Sequence, residues 1–324
     1  MLEVYYFILL TLLISLLIDL IYGELPTKIH PVVIIGKIIS FFKNIFIKYK
    51  NKLSGLFTTL LTVICCSFIL LIIMLFSSIN DYLFIIIYSI ILSSTFSVKM
   101  LLSTAKNIEN DLKEDINKAR QSVSYLVSRD TDELTESFIV SATIESMTEN
   151  ITDSYIAPIF YFTLVSVLFI IFNINYYVIL LLIPFIYRIS NTLDAMLGYT
   201  TDELINIGFF PAKMDDILNY IPSRISGIFV VFSAYLLRYD GKNAFMIMKR
   251  DARKCPSPNS GYTMASTAGA LNIQLVKKDT YILGDNTHKI DVSDISKAIR
   301  LTSLTIGLFT LFILLLITII HVII

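Results

Sequence analysis

The 324 residues are 55% hydrophobic, with a mean hydropathy of +0.73. That excludes an ordinary soluble domain, because so much apolar surface exceeds what one core can bury and belongs in lipid. Lys plus Arg and Asp plus Glu stand equal at 26 each, so net charge argues for no nucleic-acid partner and the placement of charge carries the information.

A helix needs roughly 20 apolar residues to cross a bilayer. In chain order the qualifying runs are 4–22, 56–76, 82–102, 155–172, 176–187 and 301–324, which predict an all-α, polytopic membrane bundle of about six spans in a single integral domain, 1–324. The first run lacks a basic start and a small-residue cleavage site, so it reads as a retained span. Asp19 lies inside it, where a carboxylate is expensive in lipid, and is expected to face the bundle or the site. The fourth and fifth runs, joined by Asn173-Ile174-Asn175, read as a helical hairpin.

Cytoplasmic loops collect Lys and Arg. Lys28, Lys37, Lys43, Lys48, Lys50 and Lys52 follow the first run, and Lys106, Lys113, Lys118, Arg120 and Arg129 follow the third, whereas 77–81 and 173–175 carry none. Polar segments 24–52, 103–154, 188–224 and 238–300 are therefore expected in the cytoplasm, with both termini outside. The run 225–237, bracketed by Arg224 and Arg238, is too short to cross and reads as re-entrant or interfacial. Cys65 and Cys66 are adjacent within an apolar run and Cys255 is remote, which makes neither zinc spacing nor a disulfide framework.

The candidate chemistry sits at the expected cytoplasmic ends. In "ESMTENITDS", Glu145, Glu149 and Asp153 fall at i, i+4 and i+8 on one helical face, with Asn150 beside them. Like charges so spaced repel, and a hard cation such as Mg²⁺ would relieve the repulsion. Asn191 and Asp194 repeat an Asn/Asp pair beyond the fifth run, and Asp215, Asp216 and Asn219 precede Arg224, a candidate clamp for carboxylate or phosphate. "KRDARKCPSPNSG" supplies Lys249, Arg250, Asp251, Arg253 and Lys254, then a turn in which Ser257, Asn259 and Gly261 could aim backbone N–H groups at an anion. His30 stands in a loop after the first run, and His288 and His321 have no supporting pattern.

Together these stretches resemble the cobalamin-biosynthesis membrane proteins known as CobD or CbiB, the adenosylcobinamide-phosphate synthases, over nearly the whole chain. The matching residues run from His30-Pro31-Val32-Val33 with Gly36, through Ala119-Arg120 and Ser128-Arg129-Asp130-Thr131 with Leu134, to Glu145-Ser146, Glu149-Asn150, Asp153 and Ala157-Pro158. They continue as Asn191-Thr192-Leu193-Asp194 with Gly198-Tyr199, Asp215-Asp216, Asn219, Pro222, Arg224, Arg250-Asp251, Ser257-Pro258-Asn259, Gly261 and Ala268-Gly269-Ala270-Leu271. Departures from the family pattern fall at Glu24-Leu25, Lys213, Cys255 and Tyr262, where the family has Asp-Pro, Arg, His and Trp, and a Gly pair after Leu275 is missing.

The resemblance implies a multi-pass protein of a prokaryotic cell membrane that joins aminopropanol, or its O-phosphate, to adenosylcobyric acid with ATP as co-substrate. Fitted to that chemistry, Glu145, Glu149, Asp153 and Asp194 would be the catalytic and Mg²⁺-holding carboxylates. Asn150, Asn191, Asp215, Asp216, Asn219, Arg224, Arg250, Asp251, Arg253, Lys254, Ser257, Asn259, Gly261 and His30 would bind substrate and phosphate. The lipid bilayer is the other expected partner, and a homo-oligomer is left open. A non-enzymatic AmpE-like signalling relative and a small-molecule transporter are the competing readings; a transporter would place its ionisable groups nearer the bilayer centre.

Overall fold

In lipid every backbone polar group must be satisfied within its own segment, so apolar runs of this length fold as helices. The computed structural model describes residues 3–127, 130–199 and 201–324, and Ser128 and Arg129 of the expected motif lie outside the described residues. The helices are α1 (Val4–Tyr22), α2 (Pro31–Phe46), α3 (Lys52–Ser77), α4 (Asp81–Ser93), α5 (Val98–Glu114), α6 (Ile116–Ser124) and α7 (Glu136–Ile151). They continue with α8 (Ala157–Ile171), α9 (Tyr177–Leu197), α10 (Phe209–Leu218), α11 (Tyr220–Leu236), α12 (Gly241–Asp251), α13 (Gly261–Leu271) and α14 (Ser293–Ile323). Among the described residues, six stretches are long and apolar enough to cross a membrane: Val4–Tyr22, Lys52–Ser77, Asp81–Glu114, Glu136–Ile171, Tyr177–Leu197 and Ser293–Ile323. The protein is a polytopic helical membrane bundle. Phe209–Leu218 and Tyr220–Leu236 meet the same test only as a broken pair, the geometry of a broken span or a re-entrant loop.

The chain divides into two compact units. The first comprises Met1–Val98, Ala157–Leu218 and Ile313–Ile324. In it, the span expected over 82–102 is interrupted. Ser93, Ser94 and Thr95 turn their hydroxyls back onto the carbonyls of Ile90, Ile91 and Leu92 at 2.7–2.8 Å, a local competition that ends helices. The break is then held from outside: Arg188 donates to the Thr95 carbonyl through Nε at 2.7 Å and through Nη2. Asp19, 2% exposed, accepts the Val98 N–H at 3.1 Å and so caps α5. As its position in a span suggests, Asp19 faces protein. The fifth expected span, α9, runs on past Tyr187 to Leu197 and carries Asn191 and Asp194 within it.

The second unit comprises Lys99–Ile156 and Asn219–Phe312. Its apolar core joins Val140, Ile144 and Met147 of α7 to Met264, Ala268 and Leu271 of α13, with Leu275, Tyr281 and Leu283 against them. Those last residues belong to an antiparallel hairpin within 238–300, which the all-α expectation did not contain. Its strands are β1 (Leu275–Lys277) and β2 (Tyr281–Leu283), with Lys277 paired to Tyr281. The small residues of α13 let backbones close in; a Cβ on Gly261 would stand 2.0 Å from the Ala252 carbonyl oxygen.

Candidate functional site

Helix α7 is buried continuously from Ile139 to Thr148, and Glu145 is 4% exposed. A carboxylate so placed must be hydrogen-bonded. Its Oε1 accepts from the Ser141 hydroxyl at 2.7 Å and its Oε2 from the Tyr281 hydroxyl at 2.8 Å. The Ser141 oxygen in turn accepts the Val276 N–H at 2.9 Å. One turn of α7 therefore holds the hairpin, and the hairpin fixes the carboxylate.

Glu149 follows one turn later and is exposed. It is hydrogen-bonded by Ser260 and faces the positive charge of Lys277. Glu149 and Lys277 line a recess of about 150 Å³ with Glu145, Ser146, Asn150 and Tyr281, walled on one side by Leu126 and Val127. The Asn150 amide donates back to the Ser146 carbonyl at 2.8 Å. Across the strands, the Lys277 ammonium stands 5.9 Å from the centre of the Tyr281 ring.

Burial, then the Glu145 carboxylate, pushes the Tyr281 phenol well above its ordinary range, so it is a donor throughout. Burial likewise pushes the Cys255 thiol to about 11. Cys255 is hydrogen-bonded by Ser260 and senses both glutamates, so the position where the family pattern has His is an inert thiol here. Asp153 does not complete the acidic face as spaced. The helix widens to a π turn over Thr152–Ile156 ahead of Pro158, shifting the register. Asp153 is half-buried and does not line the recess.

The basic motif is largely spent on structure. Asp251 is fully buried and accepts from Arg250 Nε and Nη2, both at 2.8 Å, from Lys254 Nζ at 2.6 Å and from the Gly284 N–H at 2.9 Å. Burial alone would push its carboxyl up, but these donors outweigh it and hold Asp251 at about 2. Arg250 also bridges to Asp285 at 2.9 Å. Arg253 is exposed and makes no ion pair among the described residues. In the following turn the Asn259 N–H bonds to Ser257 Oγ at 3.2 Å, and Asn259 Oδ1 accepts from Arg224 at 2.8 Å. The Arg224 guanidinium lies over the rings of Tyr220 and Tyr262, 3.6 and 4.3 Å from their centres. Arg224 thus clamps the Pro258–Asn259 turn, and Gly261 begins α13 behind it. Asn219 is buried at the N-cap of α11.

In the first unit, α9 presents Arg188, Asn191 and Asp194. Arg188 Nη1 donates to Asn191 Oδ1 at 3.0 Å, which orients the amide. Asp194 is half-buried and is repelled by Asp215 and Asp216 of α10; Asp216 pairs weakly with Lys213 at 3.4 Å. The Asp194 carboxylate folds over Gly198, where a Cβ would stand 2.0 Å from Oδ1. His30 has a helix-capping role: its Nδ1 accepts the Val32 N–H at 3.2 Å at the start of α2. Burial lowers its pKa against the pull of Glu24, and Arg188 lowers it further, so the ring is held neutral.

Ser141, Lys277, Tyr281 and Arg188 lie outside the motifs named from the sequence. The hairpin had a signal, in that two short apolar runs flank Lys278-Asp279-Thr280. His288, which has no supporting pattern in the sequence, gathers with Asp291 and Asp294, their donor atoms within 4.8 Å of one another. There Asp294 already accepts from His288 at 3.1 Å and Lys297 at 2.8 Å.

The comparisons with known proteins cover this same stretch. The chain is 46% identical over 302 residues, 93% of its length and 95% of the relative's, to the "Probable cobalamin biosynthesis protein CobD" of Methanothermobacter thermautotrophicus. It is 44% identical over 283 residues, 85% of its length and 86% of the relative's, to the protein of that name in Methanococcus aeolicus. A third such relative, from Thermoplasma volcanium, is 35% identical over 291 residues, 89% and 90% of the two chains. No solved structure matches the chain. The model of the CobD/Cbib protein family matches residues 12–302, a range that holds every acidic and basic cluster described above, and the chain belongs to that family.

Proposed function

We propose that this membrane protein carries out an ATP-dependent amide ligation in cobalamin synthesis, joining aminopropanol or its O-phosphate to the propionate carboxylate of adenosylcobyric acid. Family membership and the names of the relatives support the pathway. The observation that carries the chemistry is the recess on α7, where an exposed Glu149 stands between a buried, doubly hydrogen-bonded Glu145 and the cation Lys277.

A carboxylate is a poor acyl donor. In the proposed reaction one of its oxygens takes the terminal phosphoryl group of ATP and ADP leaves. The amine nitrogen then bonds to the carbonyl carbon as the carbon–oxygen bond to phosphate breaks, and the ammonium proton must go to a base. Glu149 is our choice for that base, with the Glu145 carboxylate beside it. Lys277 and the exposed Arg253 would face developing phosphate charge.

The hard oxygen donors fit Mg²⁺, which keeps several waters and needs only one or two carboxylates. Asp194 with Asp215 and Asp216 fits best, since a cation would relieve their mutual repulsion; Asn191 lies a turn away. Within the second unit the candidate hard donors are Glu149 and Asp153, since Glu145 already uses both oxygens. Bound there, Mg²⁺ would neutralise the ATP phosphates. The Lys-rich segments support a cytoplasmic face for these groups, where ATP is.

Purified protein in nanodiscs should consume ATP only when both cobyric acid and aminopropanol phosphate are present. Glu149→Gln should lower kcat by about a hundredfold or more with an unchanged unfolding midpoint. Full activity in that variant would overturn the assignment, and ATP consumption without the amine would overturn the reaction.

A further inference from the structure

Helix α11 buries serines among Gly227, Val230, Val231 and Ala234. Its buried face carries Ser223, Ser226 and Ser233, bonded to Asn259, Thr152 and Thr305 at 3.0–3.4 Å. Its outward face shows Ile228, Phe232, Tyr235 and Leu236, between 44% and 64% exposed. Polar groups inward and large apolar groups outward is the arrangement of a helix whose solvent is lipid.

The face does not end with α11. On α12, Ala244, Ile247 and Met248 point inward, while Lys242, Phe245, Met246, Lys249 and Arg250 are exposed at i, i+3, i+4, i+7 and i+8. Ile228, Phe232, Tyr235, Lys242, Phe245 and Met246 line one hollow of about 520 Å³. Arg250 is tied to Asp251 and Asp285, but Lys242 and Lys249 make no ion pair among the described residues. Exposed Arg238 adds charge at the same corner, and Asp240 caps α12 through the Asn243 N–H.

We propose that this continuous face is a phospholipid-binding surface. In it α12 lies along the bilayer interface, Lys242 and Lys249 hold anionic headgroups, and Phe245, Met246 and the hollow beside α11 take the upper acyl chain. Apolar residues flanked by snorkelling lysines suit that depth and no other. The consequence is positional: the segment from Arg250 to Gly261 would emerge at the membrane surface.

The chain contains no Trp, so Phe245→Trp introduces a sole indole at an exposed position, with Met246→Trp as a second reporter should the first not fold. In proteoliposomes of phosphatidylcholine with phosphatidylglycerol, the indole emission should be blue-shifted and quenched by chains brominated near the ester more than by chains brominated deep. Iodide should quench it little. The preference for brominated phosphatidylglycerol over brominated phosphatidylcholine should fall about tenfold or more when Lys242→Glu and Lys249→Glu are combined. Strong iodide quenching would overturn the proposal, as would shielding from both quenchers, which marks a protein partner, or a lipid preference indifferent to the charge reversal.

Discussion

Replacing Asp251 by Asn keeps the shape of a fully buried side chain and removes its charge. The wild-type carboxylate accepts from Arg250 twice, from Lys254 and from the Gly284 N–H. Each charge-assisted bond contributes roughly 1.5–3 kcal/mol. Arg250 and Lys254 are 47% and 48% exposed, so water recovers much of theirs, and a net loss of about 3 kcal/mol is expected, near the bottom of the range for breaking a buried pair. Linkage gives a second route to the magnitude. Holding the carboxyl at about 2 against roughly 3.9 in an unfolded chain corresponds to about 2.5 kcal/mol. Because the folded pKa is depressed, that stability is fully present above pH 4 and is lost as pH falls through 2. Equilibrium unfolding in detergent, followed by far-ultraviolet circular dichroism, should therefore show a gap between wild type and Asp251→Asn that is wide at pH 7 and closes between pH 4 and 2. A gap below about 1 kcal/mol at pH 7, or one that does not change with pH, would refute the reasoning.

Tyr281→Phe removes one of the two hydroxyl donors to buried Glu145 and should cost about 1–3 kcal/mol. A double-mutant cycle with Ser141→Ala should show coupling of at least about 0.5 kcal/mol, and strict additivity would argue against a shared carboxylate. Gly198→Ala inserts a methyl where Asp194 Oδ1 lies 2.0 Å away, whereas Gly307 has nothing within 4 Å. ATP-dependent turnover should drop severalfold in the first alanine variant and stay at wild-type level in the second. His30→Ala should cost about 1 kcal/mol as a lost N-cap, with His30→Asn largely restoring stability and activity; an inactive Asn variant would instead mark His30 as catalytic. Since the His30 pKa is lowered, its contribution is complete above about pH 6.5 and declines as pH falls below that value.

Some of this protein was legible before any coordinates. Hydropathy located six candidate spans, because a bilayer accepts little else over twenty residues, and the short run bracketed by Arg224 and Arg238 falls on α11, one half of the broken pair. The acidic and basic clusters could be named because few charged residues are tolerated beside apolar runs. Their partners could not. Whether Arg250 is a free phosphate ligand or a structural counter-ion depends on Asp285, 35 residues away. Whether Glu145 is open or enclosed depends on Tyr281, 136 residues on. The break before α5 is held by Arg188 and Asp19 across 93 and 79 residues. One-dimensional periodicity describes a residue's own helix face, and even that failed at Asp153, where a π turn resets the count. Lipid solubility is a property of a segment and is written into it, whereas the state of a buried charge is a property of its neighbours, which only the folded chain supplies.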